Sequence, residues 1–114
     1  MNVDLLKKYA SLVIHIGVNL QKNQPLVIHA PITCAEFVHA LTYEAFAAGA
    51  YDVCVNWSDE EFSHIRYQKA PADRFREFPT WRKLFYDDHA ERGAAFISIA
   101  AADPDIFSDI DPKR

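Results

Sequence analysis

The sequence predicts an α/β domain, a three-layer α/β/α sandwich around a short parallel sheet of about three strands. Three observations carry that expectation. Short β-branched runs alternate with longer segments of helical periodicity, cap, glycine and proline signals punctuate the junctions, and 114 residues suit one core with no comfortable room for a second.

The first helix is expected from residue 3 to about 20, where Leu6, Tyr9, Val13, Ile16 and Leu20 form an apolar stripe opposite Lys8, Ser11, His15 and Asn19. "QKNQ" interrupts it, and "PLVIHA", residues 25–30, has the length and β-branched content of a buried strand. Thr33 with Glu36 makes a capping box for a second helix that runs to about Ala48, and Gly49 suits a left-handed close. "DVCVNW", residues 52–57, is apolar on both sides of its alternation, as an internal strand covered on two faces would be. Ser58 with Glu61 repeats the capping pattern, and Pro71 stops the third helix near Ala70. A further helix restarts at Pro79 with Trp81, Leu84 and Phe85 on one side and closes at Gly93. "AAFISIA", residues 94–100, reads as the third strand, and Asp103 with Pro104 opens a short helix. The final "DIDPKR" looks like the approach to another element, so the sheet is expected to continue beyond Arg114 in a longer parent protein.

Composition excludes several function classes. A formal charge of −4, from 12 basic and 16 acidic residues spread along the chain, leaves no basic stripe for nucleic acid. His or charged residues break the apolar runs before they could span a membrane, and "MNVDLLKKY" has an acid where a signal peptide wants basic residues, so the chain reads as cytoplasmic. Cys34 and Cys54 show no metal-binding or redox spacing and read as small core residues.

The densest titratable stretch is "NWSDEEFSHIRY", residues 56–67. Glu60 and His64 share a helical face, and Glu61 also neighbours His64, yet a metal needs three or four ligands and nothing nearby supplies them. Asp59, Glu60 and Glu61 are better explained as acids at the positive end of a helix dipole. His29 is more informative, because ligands in open α/β sheets gather beyond the carboxyl ends of the strands. The same edge is expected to carry Asn56, Trp57, Ser58 and Asp103, although His29 and Trp57 have ordinary structural roles open to them. The turn "HAPITCAEF" lacks the glycines of a dinucleotide or phosphate loop, and there is no G-x-S-x-G elbow. A helix start at Thr33 could receive a small anion. Phe75, Phe78, Trp81, Phe85 and Tyr86 crowd together as a sheet cover or an interface.

Residues 17–61, "GVNLQKNQPLVIHAPITCAEFVHALTYEAFAAGAYDVCVNWSDEE", resemble the amino-terminal region of the aminopeptidase T family of metal-dependent aminopeptidases. "RYQKAP", "FREFPTW" and "GAAFISIAAADPDIF" extend the likeness over nearly the whole chain. The resemblance implies a parent metallopeptidase, a hydrolase that releases N-terminal residues from short peptides with two divalent ions such as cobalt, zinc or magnesium, commonly as a homodimer. It also implies that the metal ligands belong to a carboxyl-terminal catalytic domain outside these residues. No catalytic or metal-ligating residue is therefore assigned, the substrate-binding residues stay open, and residues 1–114 alone are expected to be inactive. Two other roles remain, a small-ligand binding module and a structural dimerisation domain.

Overall fold

The computed structural model describes residues 3–73 and 80–100. In chain order it contains α1 (Val3–Leu12), a π-helical turn (Val13–Gly17), β1 (Pro25–Pro31) and α2 (Ala35–Ala47). These are followed by β2 (Asp52–Ser58), α3 (Glu60–Lys69), α4 (Thr80–Glu91) and β3 (Ala95–Ser98). All three strands are parallel, in the order β2-β1-β3. The α/β class with helices flanking a short parallel sheet is therefore what the sequence expected. Right-handed crossovers explain the layering, since the chain leaves β1 in one direction to make β2 and returns across β1 to make β3. The two connections consequently lie on opposite faces.

The core lies on the α1/α2 face. Leu26, Ile28 and Ala30 of β1 alternate onto that side and meet Leu6, Ala10, Ile14, Leu41 and Ala45, all buried. Burying each larger aliphatic side chain there stabilises the fold by about 1.5–3 kcal/mol. Ala10 and Ala45 have no side-chain bulk and are wholly buried, which permits close approach of α1 and α2.

Several boundaries differ from expectation for local reasons. The first helix does not continue as α to residue 20. From Val13 it widens into a π turn, with Val18 N–H donating to Val13 O at 2.9 Å, and Asn19 ends it at φ 48°. Ile16 is 73% exposed, and Ile14, on the face of Leu6 and Ala10, takes the buried place instead. Ala10, outside the expected stripe, is wholly buried in the core.

The second helix begins at Ala35 after a short 3-10 turn over Ile32–Cys34, so the cap position is Cys34, with no side-chain cap bond, and not Thr33. Its far end is as expected, with Gly49 at φ 94°. Within the described sheet β2 is not the internal strand. β1 occupies the middle, and β2 lies at an edge of the described sheet with no fully buried residue. Apolar alternation is shared by edge and central strands once both faces carry helices, so it could not choose between them.

The third helix is capped by Asp59, not Ser58. Pairing with Pro31 keeps Ser58 in β2, and the Asp59 carboxylate accepts from Glu61 N–H at 3.1 Å. Ala70 is extended, as the following proline requires, and ends that helix. β3 covers Ala95–Ser98, less than the 94–100 expected, although Ile99 N–H still donates to His29 O at 2.7 Å. On α4, Trp81 and Leu84 are 66% and 62% exposed, and Phe85 and Tyr86 are the half-buried pair. Phe75, Phe78 and the restart at Pro79 lie outside the described residues, as do Asp103 and the short helix expected there.

The amino end of the sheet is tied by hydrogen bonds between its loops. Asn23 N–H reaches Gly49 O at 2.7 Å, Tyr51 N–H reaches Gln24 O at 3.0 Å, and the Gln24 amide donates to Gly93 O at 2.9 Å. The carboxyl end is more open, and the candidate site lies there.

Candidate functional site at the strand ends

Parallel pairing of β1 with β2 fixes the site. His29 stands opposite Asn56, and Pro31 opposite Ser58, so a two-residue period sends His29, Asn56 and Ser58 to one face of the sheet. That face lies under α3 and α4. There a cleft of about 470 Å³ opens, lined by His29, Asn56, Trp57 and Ser58. Of the residues expected at this edge, these four come together, and Asp103 is outside the described residues.

Helical periodicity supplies the other walls. Asp59, Phe62, Ser63 and Arg66 follow the i, i+3, i+4, i+7 pattern of one helical face and all border the cleft. Arg82 and Tyr86, four residues apart on α4, close it from the other side. The Asn56 amide donates to the Tyr86 hydroxyl at 2.9 Å, which ties α4 to the end of β2. Below it, the Tyr86 and Phe96 rings lie 6.4 Å apart. The Arg82 guanidinium sits 5.2 Å from the Trp81 ring centre, within cation–π range. Sequence reasoning missed Arg66, Arg82 and Tyr86 because it considered only residues next to strand ends, although the spacing of 59, 62, 63 and 66 was legible.

The acidic run resolves along electrostatic lines. Asp59 holds the helix N-terminus, Glu60 and Glu61 are exposed in its first turn, and His64 is exposed on the next. Among the described residues no three His, Cys, Asp or Glu side chains gather into a group that could hold a metal ion. The donor set for a pair of divalent ions is therefore not supplied by them, and no chemical step is assigned to such ions here. Elsewhere, His15 is exposed and its Nε2 lies 3.5 Å from a Glu44 carboxylate oxygen. Cys34 is buried and Cys54 half-buried. Burial, helped by the Asp52 carboxylate, pushes the Cys54 thiol above its ordinary pKa, which suits a packing residue better than a nucleophile. No helix among the described residues is long and apolar enough to cross a membrane.

Comparison with known proteins gives a concordant set of likenesses. The family model described as thermophilic metalloprotease (M29) matches residues 2–114. Aminopeptidase 2 of Geobacillus stearothermophilus is 41% identical over 109 residues, which are 96% of this chain and 26% of that protein. Aminopeptidase AmpS of Bacillus subtilis is 39% identical, over 96% of this chain and 27% of its own length. Among solved structures, wild-type AmpT from Thermus thermophilus superposes with a TM-score of 0.79 at 30% identity, over 96% of this chain and 28% of that one. The chain thus spans about a quarter of the length of the curated relatives it matches.

Proposed function

Because this chain belongs to the thermophilic metalloprotease (M29) family, we propose that it forms the amino-terminal domain of a longer metal-dependent aminopeptidase that releases N-terminal residues from short peptides. One observation carries the reading: nearly the whole chain aligns with part of several proteins named aminopeptidases, at up to 41% identity. In this role the two divalent ions and their ligands belong to the catalytic domain of the same polypeptide. Residues 1–114 contribute a wall of the peptide cleft and have no peptidase activity alone. The residues that line the strand-end cleft, among them His29, Asn56, Ser58, Arg66 and Arg82, are of the kinds that bind a short peptide.

The decisive experiment assays the full-length protein with cobalt, zinc or magnesium on a leucyl peptide and on its N-acetylated form. Release of leucine from the free amine alone, abolished by a chelator and restored by metal, is expected. Release that survives chelation, or cleavage of the acetylated peptide at an equal rate, would overturn the assignment. The wall role is tested separately, because deletion of residues 1–114 is expected to lower activity toward short peptides.

Exposed apolar side chains favour a second role within the same protein. Tyr43 and Phe46 on α2 are 76% and 50% exposed, with Val3 of α1 beside Tyr43 along the same groove. Such a surface suits burial against the catalytic domain or a second subunit. Sedimentation of the full-length protein as a monomer at micromolar concentration would exclude the homodimer.

A further inference from the structure

We infer that the cleft at the carboxyl ends of β1 and β2 is an anion subsite that seats the C-terminal carboxylate of a short peptide between Arg66 and Arg82. The peptide identity of the ligand rests on the aminopeptidase reading, whereas the charge it must carry follows from the cleft itself.

Two arginines line the cleft from different helices, Arg66 from α3 and Arg82 from α4. Among the described residues one acid borders it, Asp59, and an oxygen of its carboxylate accepts from Glu61 N–H at the helix cap. Among the described lining residues the two arginines outnumber the one acid, and a guanidinium offers the planar pair of N–H donors that matches a carboxylate. Hydroxyls of Ser58 and Ser63 and the His29 ring add polar partners. Ile32, Trp57 and Phe62 give the same cleft an apolar side, as a ligand with side chains of its own requires. The volume, about 470 Å³, lies in the ordinary range for small-molecule sites.

A phosphate group fits this edge less well. The turn from β1 toward α2, "HAPITCAEF", contains no glycine, so its backbone lacks the sequence of a phosphate-cradling loop. The side chains provide the positive charge here, and they do so at a cleft with an apolar wall. An anchor for the far end of the substrate would act as a ruler, favouring peptides whose two ends reach both this subsite and the catalytic centre.

Titration calorimetry tests the subsite on the 114-residue chain without metal, with Leu-Gly-Gly, its C-terminal amide and inorganic phosphate as probes. The free acid is expected to bind about tenfold more tightly than the amide, and R66Q and R82Q each to weaken acid binding by about fivefold to tenfold while leaving amide binding unchanged. Both positions are exposed, so circular dichroism should show unaltered folding of the variants. Equal binding of acid and amide, unchanged affinity in both variants, tighter binding of phosphate than of the acid, or no saturable binding would each overturn the proposal. Neither metal nor turnover enters the measurement. Failure here beside chelator-sensitive release of leucine by the full-length protein would sink the subsite alone, and the reverse pair of results would sink the peptidase reading alone.

Discussion

On the face of the sheet covered by α1 and α2, Ala10, Ile14, Leu26, Ile28, Leu41 and Ala45 are fully shielded from water, whereas neither α3 nor α4 buries a single side chain on the other face. The same strands serve both, so the contrast lies in the helices. α2 is dominated by apolar residues, with mostly short polar breaks, and α3 is mainly polar or charged over "EEFSHIRYQK". Hydrophobic burial therefore fixes one face. The other is held by a few directed contacts, such as the Asn56 to Tyr86 hydrogen bond and the Tyr86 to Phe96 ring contact. A face with little buried area has little local stability, and binding surfaces are drawn from such regions.

The largest test of that contrast is Leu41→Ala, which removes a fully buried side chain and is expected to cost about 2–5 kcal/mol. Urea denaturation measures it. A cost below about 1 kcal/mol would mean that the α1/α2 face is not the stabilising one.

Two glycines sharpen the comparison, since both close helices with positive φ, one on each face. At Gly49, φ is 94° and an added Cβ would approach Lys22 Cγ to 3.2 Å, so Gly49→Ala should cost about 1–2 kcal/mol. At Gly93, φ is 71° and an added Cβ meets nothing within 4 Å. Gly93→Ala should lose only the conformational part, about 1 kcal/mol, and a larger loss there than at Gly49 would reverse the ranking of the two faces.

Next comes Asp59→Ala, which removes the cap of α3 and should cost about 1 kcal/mol. Hydrogen exchange should show the loss confined to α3 amides, with β1 unaffected. Smaller again, Ile65→Ser and Leu84→Ser replace side chains that are 53% and 62% exposed, and each should change stability by less than about 0.5 kcal/mol. A loss comparable to that of Leu41→Ala would show that the α3/α4 face is packed after all.

The finest probe is chemical. Cys54 pairs in register with Val27 and therefore lies on the α3/α4 face, where burial and the Asp52 carboxylate raise its pKa. Alkylation by iodoacetamide requires the thiolate, so its rate should rise at higher pH in the folded chain than in the chain unfolded by urea. The sign for stability follows, because a raised pKa means that the native state holds the proton more firmly. The contribution is whole below the ordinary cysteine pKa and is lost as pH rises through the raised one. Asp52→Asn should bring the folded profile part of the way down.

Much of this architecture was legible in the sequence where local chemistry decides. Gly49 and Pro71 end their helices as expected, and the residues "PLVIHA", a short run with β-branched members bounded by turn residues, form a buried strand. Packing decided what could not be read. The π turn after Leu12 departs from a regular α period, and Ala10 and Ile14, not Ile16, carry the buried stripe. The central place of β1 depends on crossovers that periodicity along one strand cannot express. Likewise His29, Asn56, Trp57 and Ser58 were recognisable as neighbours at strand ends, while Arg66 and Arg82 line the cleft from two helices whose placement over the sheet is a tertiary matter. The cap at Asp59 shows the smallest version of this effect: Ser58 has an adequate capping side chain, but a ladder with Pro31 already claims its backbone.

The middle strand of the sheet is the earliest to be synthesised. As the polypeptide leaves the ribosome, β1 can pair with β2 soon afterwards, but its other flank stays bare until Ala95–Ser98 emerges, at the far side of two helices. For that interval a strand of Leu26, Val27 and Ile28 offers unsatisfied amide and carbonyl groups to any passing chain, so nascent material is most vulnerable to aggregation before the last strand docks. A slow translational stretch between α3 and β3 would lengthen that exposure.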